Sequence, residues 1–191
     1  MSRVRLATET LEQVFSRLMI ARRGDANEET LARILASWSQ GMGSMPQWLG
    51  LGEEEYQRMM RYHFPNIDTR TISGADTQGD MTRGAELQDL RTLLMENRSG
   101  HSDSESWMAE IVTAGCMGSD HLWQDLGLWN RADLSKLMWR DFAPLAQLND
   151  KDMKWKKFLY KQLCDAEGIY VCRSPSCEVC VDYKNCFGSE E

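Results

Sequence analysis

The chain has 191 residues and carries 22 Lys and Arg against 29 Asp and Glu, a formal net charge of −7. That length suits one domain, or one domain with a small appendage, and buries about 70% of the unfolded surface without staples. The acidity argues against a general nucleic-acid binder, and no run of about 18 apolar residues offers a membrane span.

The N-terminus, MSRVRLATETLEQVFSRL, lacks the apolar core and small-residue cleavage site of a secretory signal, so a cytoplasmic location is expected. Leu11, Val14, Phe15, Leu18 and Met19 form a helical apolar stripe within Leu6–Arg22. Gly24 and Asp25 break it, and Asn27 caps a second helix containing Leu31, Ile34, Leu35 and Trp38. Gly41, Gly43, Pro46, Gly50 and Gly52 punctuate a loop around Trp48 and Leu49. Glu53–Phe64 predicts a third helix, stopped by Pro65. Residues 65–84 are polar with little periodicity and predict a mobile loop. Leu87, Leu90, Leu93 and Leu94 predict a fourth helix, and Ser104–Cys116 a fifth. Asp120–Leu128 and Asp133–Phe142 predict two more, and Asn149–Ala166 the last. No strand pattern and no internal repeat occurs. The expected fold is all-α, a helical bundle-like domain over residues 1–171 with a C-terminal cysteine-rich metal-binding loop over 172–191.

Six cysteines are present, and their distribution matters more than their number. Cys116 and Cys164 are scattered, while Cys172, Cys177, Cys180 and Cys186 form C-x4-C-x2-C-x5-C. In a reduced compartment such a cluster reads as metal binding before disulfides. Structural zinc sites usually pair two knuckles across a long spacer, which is missing here. The first three positions match the start of plant-type ferredoxin spacing, and four thiolates suit an iron–sulfur cluster. Pro175 restrains the ligand loop, and Ser174 and Ser176 favour turns.

Other residues have both a functional and a plain reading. His121 and Asp125 stand four apart on one predicted helical face, a pair that can bind a metal or set an imidazole tautomer. The plain alternative is a partly buried imidazole satisfied by a local carboxylate. His101 lies in a polar loop, and His63 suits the end of a helix, where a cation complements the macrodipole. Cys116 precedes His121 closely, and Cys164 lies near enough to Cys172 in sequence to join a metal site; both could equally be small core hydrophobes. Lys154, Lys156 and Lys157 belong to a lysine-rich stretch before the cysteines. They form either a solvated helix face or a positive patch that offsets thiolate charge and attracts an oxyanion. Seven tryptophans belong mostly to the core, and those from Trp107 onward could also wall a cluster off from solvent. No nucleophile–base pair, phosphate loop or dinucleotide fingerprint appears, so nothing in the residues points to a turnover enzyme.

The cysteine spacing, followed by Phe187 and Gly188, resembles the C-terminus of the NifQ family of nitrogen-fixation proteins. The resemblance extends to HLWQDLGL at 121–128, to Arg131, Leu134, Leu137 and Met138, to Phe142, Pro144, Leu145 and Asn149, and to MKWKKFLYKQLC at 153–164. Leu49–Leu51 also fits. It implies a protein that supplies molybdenum for the iron–molybdenum cofactor of nitrogenase. It further implies an iron–sulfur cluster, of the 4Fe-4S or Mo-3Fe-4S type, on Cys172, Cys177, Cys180 and Cys186. The implied partners are the cofactor scaffold complex, the nitrogenase iron protein and molybdate or a related molybdenum species, with no nucleic acid or membrane. A molybdenum corner takes more ligands than an iron corner, which gives His121, Asp125, Cys116 and Cys164 added interest as metal ligands. Electron transfer by an iron–sulfur protein and a zinc-stabilised adaptor are the alternatives.

Overall fold

The computed structural model describes residues 9–74 and 84–166, and every regular element among them is a helix. The α-helices are α1 (Leu11–Ala21), α2 (Glu28–Ser39), α3 (Glu53–His63), α4 (Gly84–Glu96) and α5 (Ser104–Gly115). They continue with α6 (Leu122–Asp125), α7 (Arg131–Asp141), α8 (Ala143–Gln147) and α9 (Trp155–Ala166). Short 3-10 turns occupy Gln47–Gly50 and Thr69–Thr71.

Local chemistry explains where the helices start. Thr10 and Gln13 form a reciprocal capping box on α1, at 3.3 and 2.8 Å. Asn130 caps α7 by accepting the Asp133 amide at 3.0 Å. Three glutamates open α3 and Arg61 lies in its last turn, in the sense that complements the helix dipole. The apolar faces of α2, α3, α5, α7 and α9 then meet in one continuous core. Leu35, Met59, Ile111, Leu137 and Leu159 are fully buried in it.

Several boundaries differ from expectation for visible reasons. The predicted helix over 120–128 shrinks to α6, because Gly127 turns left-handed at φ 74° and stops it. Phe142, at φ −135° and ψ 45°, separates α7 from an unpredicted short helix, α8. The last helix begins at Trp155 rather than Asn149. The Asn149 side chain accepts from the Met153 amide at 2.8 Å and donates to its carbonyl at 2.9 Å, folding 149–153 into a turn. Asp152 takes a left-handed φ of 52° within it.

Of the segment expected as a mobile loop, residues 65–74 are described and 75–83 lie outside the described residues. The described part buries Ile72, whose carbonyl receives the Tyr56 hydroxyl at 3.5 Å. The glycine-punctuated loop after α2 contains two strained residues. Trp48 and Leu49 both lie in the left-handed region, at φ 57° and 55°, a conformation that costs about 1–3 kcal/mol per residue. Packing holds them there: Leu49 is buried, and Trp48 lies 5.2 Å from the Tyr56 ring.

The dependence of α9 on the core yields a direct test. Leu159→Ala should lower the unfolding free energy by about 2–5 kcal/mol in urea titration. A loss under about 0.5 kcal/mol, the surface range, would place Leu159 outside the core.

Candidate functional site

The residues singled out near 116–125 converge on one buried ion pair. Lys156, in the first turn of α9, is 4% exposed, and Asp125, at the end of α6, is 1% exposed. The Lys156 ammonium pairs with Asp125 Oδ2 and donates to the carbonyls of Asp120 at 2.7 Å and Gly118 at 3.0 Å. Its three acceptors all come from residues 118–125. The other carboxylate oxygen, Oδ1, accepts the Ser44 hydroxyl at 2.9 Å and the Asp120 amide at 3.4 Å. The Ser44 amide donates to the Asp125 carbonyl at 2.8 Å, so the glycine-punctuated loop is tied in as well. Gly118 permits this closeness, because a Cβ there would collide with the Asp125 carboxylate.

The expected site residues fall into distinct settings. Asp125 is held by Ser44, Asp120 and Lys156, and both of its carboxylate oxygens are engaged. His121 is half-buried at the start of α6, and its carbonyl accepts the amides of Gln124 and Asp125 at 2.9 and 3.0 Å. Cys116 is buried at the C-terminal cap of α5, and Cys164 is buried on α9. Lys154 and Lys157, like Lys156, are at most 6% exposed, so these three do not form a solvated face. Lys161 is half-exposed and pairs with Asp165. Trp38 and Trp155 are core residues, while Trp129 and Trp139 remain 39% and 53% exposed. Cys172, Cys177, Cys180 and Cys186 lie outside the described residues. Among the described residues no group of three or more His, Cys, Asp and Glu is placed to hold a metal.

A second polar cluster surrounds His63, a residue that sequence reading placed at a helix end. It is fully buried against the rings of Tyr62 and Trp107, at 4.8 and 5.7 Å. Its Nε2 lies 2.9 Å from the Ser104 hydroxyl, which accepts from Asn27 Nδ2 at 3.1 Å. The two carboxylates on the Nδ1 side favour the tautomer with its proton on Nδ1, in which Nε2 accepts from Ser104. Nδ1 faces Asp25 Oδ1 at 4.0 Å and Glu28 Oε1 at 3.9 Å, beyond hydrogen-bond range. Serine, histidine and acid are the types of a nucleophilic triad, but Ser104 and His63 are both fully buried. The arrangement is a structural knot instead. Glu28 accepts the amides of Arg23 and Gly24, each at 2.7 Å, and Glu105 accepts those of Gly100 and His101 at 2.7 and 2.8 Å. Arg140 donates to the Ala26 carbonyl at 2.9 Å and pairs with Asp141, joining α7 to the start of α2.

Burial lowers the His63 pKa from 6.5 to about 4, against the opposing pull of Asp25 and Glu28. An unfolded chain takes up a proton in that interval that the folded chain refuses. The stability due to neutral His63 is complete above about pH 6.5 and is lost as pH falls toward about 4. The loss should reach about 3 kcal/mol, and His63→Gln should flatten this slope in urea titrations between those pH values. An unchanged slope in the variant would contradict the burial account. For the ion pair, Lys156→Met should cost about 3–5 kcal/mol by stranding a buried carboxylate, whereas Lys161→Met should cost under about 1 kcal/mol. Equal losses would contradict the contrast in burial.

The family model of NifQ matches residues 30–188, a span that includes most of α2, all of α3 to α9 and all six cysteines. Protein NifQ of Azotobacter vinelandii is 44% identical over 175 residues, covering 86% of this chain and 90% of that protein. Protein NifQ of Klebsiella pneumoniae is 35% identical over 167 residues, covering 82% and 96% respectively. A NifQ homolog of Sinorhizobium fredii is 34% identical over 161 residues, covering 84% and 70%. No solved structure matches. The chain belongs to the NifQ family, the nitrogen-fixation family that its sequence resembles.

Proposed function

We propose that this chain is a cytoplasmic iron–sulfur metalloprotein that carries molybdenum and donates it for assembly of the nitrogenase iron–molybdenum cofactor. The observation that carries the reading is C-x4-C-x2-C-x5-C at 172–186, lying inside the span matched by the NifQ family model. Four closely spaced thiolates suit iron and a thiophilic molybdenum site. Cys172, Cys177, Cys180 and Cys186 would ligate a cluster of the 4Fe-4S or Mo-3Fe-4S type, with molybdenum as cargo.

His121 is the best described residue to complete the molybdenum sphere, because it is half-buried rather than enclosed. Asp125 is a poor ligand, because its carboxylate oxygens are already engaged. Lys156 serves Asp125, which weakens its role in offsetting thiolate charge. The protein acts as a donor rather than an enzyme, taking up a molybdate-derived species. It delivers to the cofactor scaffold complex together with the nitrogenase iron protein.

Metal and sulfide analysis of the anaerobically purified full chain, with EPR of oxidised and reduced forms, tests the proposal. Iron, sulfide and molybdenum should all be present. Cys177→Ser should lose most of the iron, and His121→Ala should lose molybdenum while keeping iron. Iron and sulfide without molybdenum would indicate electron transfer instead. Zinc alone after iron-replete anaerobic expression would overturn the cluster itself.

A further inference from the structure

We propose that Lys156 is a positioning residue for His121, binding the turn that carries the imidazole to the helix that leads to the cysteines. This rests on the reading of His121 as a molybdenum ligand. The ammonium donates to the carbonyl of Asp120, the residue just before His121, at 2.7 Å, and to that of Gly118 at 3.0 Å. It also pairs with Asp125, whose amide donates to the His121 carbonyl at 3.0 Å. The His121 backbone is therefore held on both sides by groups that Lys156 itself touches. Lys156 belongs to the first turn of α9, which ends at Ala166, and Cys172 follows six residues later in the chain.

Stability alone is a poor reason for such a pair. Desolvation offsets most of the attraction in a buried ion pair, and well-packed apolar residues often replace one without loss. An apolar pair cannot, however, hold two backbone carbonyls at fixed distance and direction. Charge-assisted hydrogen bonds to Gly118 and Asp120 supply that geometry. Neither partner binds the metal in this reading: Lys156 and Asp125 are 4% and 1% exposed and occupied with each other.

The test compares the full wild-type chain with Asp125→Leu/Lys156→Met, with His121→Ala, and with all three substitutions together, each purified anaerobically. The apolar pair keeps the core filled and removes the tether. Amides of residues 122–125 should then exchange about tenfold faster, while α2 keeps wild-type protection. The molybdenum-to-iron ratio and EPR spectrum should fall to those of His121→Ala, and the triple variant should lose no more. Should the apolar pair not fold, Asp125→Asn/Lys156→Met, which keeps an acceptor for Ser44 but leaves the Gly118 and Asp120 carbonyls without the side-chain donor, carries the same readouts. Wild-type exchange over 122–125 in the double variant overturns the positioning role. A wild-type metal ratio, or additive losses in the triple variant, overturns it equally. Wild-type protein with iron but no molybdenum overturns the function proposed for the chain. The exchange rates then still decide whether Lys156 holds the His121 turn.

Discussion

The ammonium of Lys156 lies inside the protein, and the way it is neutralised organises everything around residues 116–125. A buried ammonium is tolerable only with a counter-charge and with acceptors for its protons. Asp125 supplies the charge, and the carbonyls of Gly118 and Asp120 supply the remaining acceptors. That requirement draws the turn after α5 and the short helix α6 against the start of α9. Ser44 then brings in the loop after α2 from the other side of Asp125. Three stretches that are distant in sequence, around Ser44, residues 118–125 and Lys156, thus meet at one carboxylate.

The His63 knot works by the opposite logic. There the buried base stays neutral, and the carboxylates around it are satisfied by backbone amides rather than by a cation. It locks the starts of α2 and α5 to the end of α3, and Arg140 adds α7. One polar centre is ionic and reaches the helix that leads to the cysteines; the other is largely uncharged at its imidazole and closes the opposite junction. The division leaves the half-buried His121 beside the ionic centre.

Helical periodicity was legible wherever an apolar stripe recurs, as in Leu31, Ile34, Leu35 and Trp38 of α2, all buried in the core. The cysteine spacing and the segments from His121 to Cys164 carried the family assignment. What could not be read were contacts between residues far apart in the chain. His63 looked like a cation suited to a helix end because Ser104 stands 41 residues away, and Asn27 meets Ser104 across 77. Lys154, Lys156 and Lys157 suited a solvated helix face at least as well as a site, because composition reports charge and not burial. Asp125 sits four residues after His121, yet its partners are Ser44 and Lys156, 81 and 31 residues away. The turn at 149–153 was missed because an asparagine side chain outcompetes helix formation there, a local effect that apolar periodicity does not register.

The central claim is that molybdenum is carried on a sulfur-ligated centre. X-ray absorption at the molybdenum K-edge of the anaerobically purified chain reads this most directly. The account predicts molybdenum–sulfur scattering with iron in the next shell, and a lighter-atom contribution that changes in His121→Ala. A spectrum showing only the short oxygen shell of free molybdate, identical in the wild type and in Cys177→Ser, would contradict it.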